Sequence, residues 1–368
     1  MMLQQTEQLI QLLSNQIRTP AAILESYCRV IALYGGQEDA AALFELFCNQ
    51  PEDYRYTMLL GPVMRCGDLE LAEEMDHRCF EQNKLKPNMP SEILHVLGYM
   101  GYEKYTDYMM NCVETDDWHL SKDACLGLMH LPISKQHQER LRNELEKAYG
   151  QPLFSEFLPA LCCKFSGPDI VPRLVAWGDE ASTDCNAGLL LGIAAYGEDQ
   201  RDCMKQILWN PGWELYSTGT GSHWWAYIAM QMVKLTFHEL ISDVKEATPL
   251  ELENRDLEER AELIEHQLWV LHDLLELRLS QPLCPLRFVP ETHEKLSDLY
   301  TQLFAWSTEH QDDSITGRIG HYFGVDHPLA DKYLRLATRM EEGIFRELEH
   351  GAWTDCKDKL SSPNELQI

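Results

Sequence analysis

The stretch SEILHVLGYMGYEKYTDYMMNCVETDDWHLSKDACLGLMHL, residues 91–131, decides the fold. Ile93, Leu94 and Leu97 recur at helical spacing and predict a first helix with one apolar face. Gly101 ends it, because glycine takes the left-handed backbone of a helix C-cap without steric cost. Tyr105, Tyr108, Met109 and Cys112 then share one face of a second helix. Asp116 and Asp117 open a third, where carboxylates suit the positive end of the helix dipole. Ala124, Cys125 and Leu128 continue the apolar stripe. One hairpin of this kind cannot bury its stripe alone; a stack of hairpins can.

The same punctuation recurs along the chain. LYGGQEDAAALFELF (33–47), MRCGDLELAEEM (64–75), KFSGPDIVPRLVAW (164–177) and AAYGEDQRDCMKQIL (194–208) each carry an apolar helix end, a glycine, a few polar residues and a second amphipathic run. Gly36, Gly67, Gly101, Gly167 and Gly197 are spaced by 31, 34, 66 and 30 residues, and 66 is twice 33. The member due near position 133 holds Pro132, which breaks a helix where a glycine would end it. Self-similarity at such a period is the mark of a repeat array.

LGYMG, a helix, an Asp-Asp turn and SKDACLGL together resemble the HEAT-like repeat family, most nearly the short bacterial variety first described in phycobilisome lyases. Lys122 stands where that pattern carries its basic residue. The resemblance covers residues 20–210 and implies an α-solenoid. It implies no lyase activity, since the family serves scaffolds, inhibitors and a few enzymes alike. The expected fold is therefore all-α: a HEAT-like α-solenoid of helical hairpins over 1–210, a C-terminal irregular helical region over 211–352, and a mobile tail over 353–368.

Charge narrows the function. The 368 residues include 59 acidic and 31 basic side chains, a net of −28. Residues 1–200 carry −15 and residues 201–368 carry −13, so the acidity belongs to the whole chain and not to a tail. Nucleic-acid affinity rests on Lys and Arg neutralising phosphates, and anionic lipid selects the same residues, so both are excluded as partners. The N-terminal MMLQQTEQLIQLLSNQIRTP lacks the basic, apolar and small-residue segments of a secretory signal. No window holds the roughly 20 apolar residues of a membrane span. The 12 cysteines form no CxxC pair, and most sit in apolar helical surroundings, which predicts reduced structural thiols and a cytoplasmic location.

The repeat pattern breaks at WNPGWELYSTGTGSHWWAYIAMQM (209–232). Trp209, Trp213, Trp224 and Trp225 crowd this segment with Tyr216, and Ser222 is placed to cap a helix starting at His223. The lysine of a Walker loop is missing. One reading is a ligand pocket or peptide groove; the other is a long connection pinned by aromatic anchors. A second glycine cluster, TGRIGHYFGVDHPLADKY (316–333), adds His321, Tyr322, Asp326 and His327. Were the two loops to meet, His223, His321 and His327 would be general acid–base candidates.

Between the loops, Leu250, Leu257, Ala261, Ile264, Leu268, Leu271 and Leu275 form a heptad-like seam on a long helix. Glu262 with His266, and His272 with Glu276, lack the spacing of a di-iron or HExxH site, so no metal and no cofactor is expected. PLCPLRFVP (282–290) reads as a rigid strap. No GxSxG elbow or dinucleotide loop is present. The expected function is a non-enzymatic protein-binding module, a scaffold, inhibitor or immunity-type protein that holds a basic partner, itself a monomer or weak dimer. The alternative is an enzyme or lyase-type chaperone with a small-molecule site between the two loops.

Overall fold

A computed structural model describes residues 2–17, 19–215 and 222–247, with shorter stretches between 263 and 305. Apart from one two-residue hairpin, the regular structure among the described residues is helical. The chain divides into two compact units after Pro132.

The first unit runs α1 (Gln4–Ser14), α2 (Ala21–Tyr34), α3 (Gln37–Phe47), α4 (Tyr54–Thr57), α5 (Leu60–Cys66), α6 (Leu69–Cys79), the hairpin β1–β2 (Phe80–Glu81 and Lys84–Leu85), α7 (Glu92–Met100), α8 (Thr106–Val113) and α9 (Trp118–Met129). Its helices pack as successive neighbours: α2 on α5, α5 on α7, α7 on α9, with α3, α6 and α8 against α5, α7 and α9 respectively. Of the stripe read from 91–131, Ile93, Leu94, Leu97, Met109, Ala124, Cys125 and Leu128 are fully buried, Tyr105 and Cys112 nearly so, and Tyr108 is only half-buried. Side-chain caps set the starts: Asp68 accepts the Leu71 N–H at 3.0 Å and Asp117 the Leu120 N–H at 3.0 Å. The buried Asp39 carboxylate joins two helix starts. It accepts from the Leu3 N–H at 2.8 Å, the Thr6 hydroxyl at 2.6 Å and the Gly36 N–H at 2.9 Å. The three donors stand in for the water that a buried carboxylate loses.

The second unit runs α10 (Lys135–Ala148), α11 (Leu158–Cys163), α12 (Val171–Gly178), α13 (Asn186–Ala194), α14 (Arg201–Leu208), α15 (Ser222–Met232) and α16 (Phe237–Ala247). Helix α13, NAGLLLGIA, is buried on every side, with α11, α12, α14 and α15 around it. A helix apolar all round belongs in a core centre. Ser134 caps α10 through the His137 N–H at 3.2 Å. The Glu294 carboxylate, far along the chain, accepts the first N–H groups of α16, Phe237 at 2.8 Å and His238 at 3.0 Å. Of the heptad-like seam, Leu268, Leu271 and Leu275 are fully buried; its earlier members lie outside the described residues, as does the tail expected over 353–368.

The glycines divide into two kinds. Gly101 and Gly197 adopt φ of 81° and 70°, the left-handed conformation expected at a helix end. Gly36, Gly67 and Gly167 do not: their φ values are −135°, −76° and −80°. Gly67 is glycine for lack of room, since a Cβ there would run into the Met100 methyl and the Val63 carbonyl. The closest helix crossings use glycines that the repeat spacing does not mark. A Cβ on Gly98 of α7 would overlap the backbone of Gly127 in α9, and one on Gly188 of α13 would overlap the Glu156 carbonyl.

Candidate functional site

Among its described residues, the tryptophan-rich segment is mostly framework. Asn210 Oδ1 accepts the Gly212 N–H at 2.9 Å and opens a short turn over Pro211–Trp213, after which Glu214 takes a left-handed φ of 45°. That reversal drives Trp213 inward. Its indole lies on the bare Cα of Gly178, it is 1% exposed, and its carbonyl accepts from Asn186 Nδ2 at 2.6 Å. Trp225 is buried with its ring 4.6 Å from that of Phe157. Trp209 Nε1 donates to Asp243 Oδ2 at 3.1 Å, while Asp243 Oδ1 takes Lys205 Nζ at 2.8 Å, so Trp209 is a strut between α14 and α16. Trp224 and His223 are half-buried on α15, with the Trp224 ring 5.7 Å from Tyr227. Burial pushes the Tyr227 hydroxyl up to about 12. Ser222 is the first residue of α15 rather than the residue before it. Tyr216, His321, Tyr322, Asp326 and His327 lie outside the described residues.

No known protein family matches the chain, and no curated protein or solved structure matches it. What the chain does must come from its own surfaces. Among the described residues no group of three or more His, Cys, Asp or Glu side chains is placed to hold a metal. No helix among them is long and apolar enough to cross a membrane. The described cysteines are all free thiols, and burial pushes Cys28, Cys79 and Cys185 up to about 12. Reactivity belongs to the thiolate, so these positions are chemically quiet near neutrality.

One polar strip went unmarked by sequence reasoning. Ser91, at the residue before α7, and His95 and Tyr99 within it follow one another at i, i+4 and i+8. The Asp123 carboxylate of α9 accepts the Ser91 hydroxyl, and the ring of His130, the residue after α9, stacks on His95 with centroids 5.7 Å apart. Arg65 of α5 donates to the Tyr99 hydroxyl at 3.1 Å. The strip crosses three successive helices, and Asp123 and His95 within it are buried. Four-residue polar spacing inside otherwise apolar helices is the signal that could have found it.

A second polar centre holds α6 to the turn before α8. The Asp76 carboxylate accepts from Lys104, from the Tyr105 hydroxyl and from the Tyr102 hydroxyl at 2.8 Å, while the Phe80 ring stacks on Tyr105 at 3.9 Å. Burial pushes the Asp76 carboxyl up, but the three donors outweigh it and hold it below the usual range. Burial and the same carboxylate push the Tyr102 hydroxyl up to about 12.

The turns of the first unit line up along one edge. Cys66 Sγ donates to the Ile31 carbonyl at 3.3 Å, which sets the end of α5 beside the end of α2. Gly67 in turn abuts Met100, which sets the end of α5 beside that of α7. From this edge and the adjoining faces of α3, α6 and α8, Glu38, Glu45, Glu70, Glu73, Glu74, Glu103, Asp107 and Glu114 reach solvent. Arg78 lies over the Phe44 ring and pairs with Glu45 and Glu74. Elsewhere in the unit, a polar cleft of about 440 Å³ is lined by Asn49, Gln50, Pro51, Glu52, Asp53 and Asn88.

Proposed function

We propose that this protein is a non-enzymatic binding module, an α-solenoid that holds a basic protein partner on an acidic surface, as a scaffold, inhibitor or immunity-type protein does. Support for the solenoid comes from the packing of each helix on its near neighbours in sequence, α2, α5, α7, α9 in one unit and α11, α13, α15 in the other. The observation that carries the binding role is the use made of basic side chains around the acidic edge. At the edge Lys104 is occupied by Asp76 and Arg65 by the Tyr99 hydroxyl, and farther along α6 Arg78 is occupied by Glu45 and Glu74, so the charge left facing solvent is mostly carboxylate. Residues 1–132 hold 20 acidic and 9 basic side chains, a net of −11, and the field over this unit attracts cations and repels phosphate. Free thiols of raised pKa fit a reducing, cytoplasmic setting, and the reading needs neither cofactor nor metal.

The test compares position against mere charge. A short lysine- and arginine-rich peptide is titrated against the wild type, against Glu70→Gln/Glu73→Gln/Glu103→Gln, and against Glu139→Gln/Asp179→Asn/Glu180→Gln from the second unit. The edge triple is expected to weaken binding roughly tenfold, the second triple to change it little, and wild-type binding to fall steadily with salt. Equal loss from both triples, or binding indifferent to salt, overturns the proposal.

A further inference from the structure

The acidic edge has an apolar centre, and its composition defines the partner more closely. Leu33, Tyr34 and Leu69 are 46%, 39% and 54% exposed. Single exposed apolar residues are ordinary, but these three belong to two turns that lie side by side. Leu33 and Tyr34 end α2, directly after the Ala32 carbonyl that Cys66 approaches, and Leu69 begins α6 three residues beyond Cys66. Carboxylates stand around them: Glu38 opens α3, Glu70 and Glu73 follow Leu69, and Glu103 lies on the next turn. An apolar patch inside a charged rim is the arrangement of a protein-binding surface, with the patch supplying affinity and the rim choosing the partner.

Spacing decides what fits. Neighbouring helices pack about 8–10 Å apart, and an α-helix advances about 10.5 Å over seven residues. A helix laid along the edge therefore sets side chains i and i+7 over successive turns, with i+3 and i+4 between them. We propose that this edge receives a basic amphipathic helix, its apolar stripe seated on Leu33, Tyr34 and Leu69 and its lysines or arginines facing Glu38, Glu70, Glu73 and Glu103. The inference rests on the acidic-surface reading above and adds the form of the partner.

The experiment uses two synthetic peptides of equal charge on the full chain. One is a leucine–lysine sequence with leucines at i, i+3, i+4 and i+7; in the other, serines replace the leucines. The leucine peptide is expected to bind roughly tenfold tighter. Leu69→Ser and Leu33→Ser, both at exposed positions, should erase that preference while leaving the salt-dependent binding common to both peptides. Leu153→Ser, at a position 61% exposed in the second unit, should leave the preference intact. If the two peptides bind alike, or if Leu69→Ser keeps the preference, the helix proposal fails and the acidic-surface reading stands. If neither peptide shows salt-dependent binding, the acidic-surface reading itself has failed. Self-association of the wild type that Leu69→Ser abolishes would assign the edge to a second copy of the chain and likewise overturn the proposal.

Discussion

Trp213 shows how one residue can be conspicuous in a sequence for a reason the sequence conceals. Four tryptophans within residues 209–225 suggest a contact surface, yet Trp213 fills the space above Gly178 and its carbonyl takes the Asn186 amide. Trp213→Ala is expected to cost about 3–5 kcal/mol of stability, the usual effect of removing a fully buried large side chain. Thermal unfolding checks this; an unchanged melting temperature would return Trp213 to the surface. The crowding of aromatics was legible from residue order. Their burial was not, because Trp209, Trp213 and Trp225 stand on three different elements whose packing no local spacing encodes. Ser91, His95 and Tyr99 make the opposite case. Their spacing was legible, but its meaning depends on α9 lying alongside α7.

At the scale of elements, the glycine crossing of α7 and α9 governs the first unit. Alanine normally replaces glycine inside a helix to advantage, by about 1 kcal/mol. Here the added methyl would meet the Gly127 backbone, so Gly98→Ala is expected to destabilise by about 1–3 kcal/mol. Chemical denaturation with unchanged m-value is the measurement, and a stabilised variant would show that the helices separate readily. Helix existence and many boundaries were legible: Asp117 caps α9 as the Asp-Asp turn suggests, and Gly101 ends α7 in the left-handed conformation. The hairpin at 80–85 was not. Its strands are too short for alternation to show, and its turn relies on Gln82 and Asn83 at φ of 51° and 61°, where glycine would be the plainer signal.

For the molecule as a whole, the pH range of stability follows from groups in both units. In the unfolded chain a cysteine ionises near 9.0; in the fold, Cys28, Cys79 and Cys185 are pushed up to about 12. Tyr102 moves the same way, from 10.0 to about 12. Between these values the unfolded chain has released protons that the folded chain retains, so stability is complete below pH 9 and falls as pH rises toward 12. Asp76 has the reverse sign: its carboxyl is lowered, so its contribution is present above the ordinary carboxylate range and is lost as acid protonates it. Melting temperatures across pH should therefore fall at both ends; Asp76→Asn should blunt the acid side and trim only the Tyr102 share of the alkaline side, leaving the part set by the buried thiols. A flat alkaline limb would contradict the burial of the thiols.

The neighbour-to-neighbour packing of the helices also bears on how the chain acquires its shape. Each central helix meets the next after about 30 residues, so the loops closed at every step are short and their entropic cost is small. Contacts this local favour rapid folding. Each unit can accordingly assemble by accretion, one helix settling on those already placed, without a search for distant pairings.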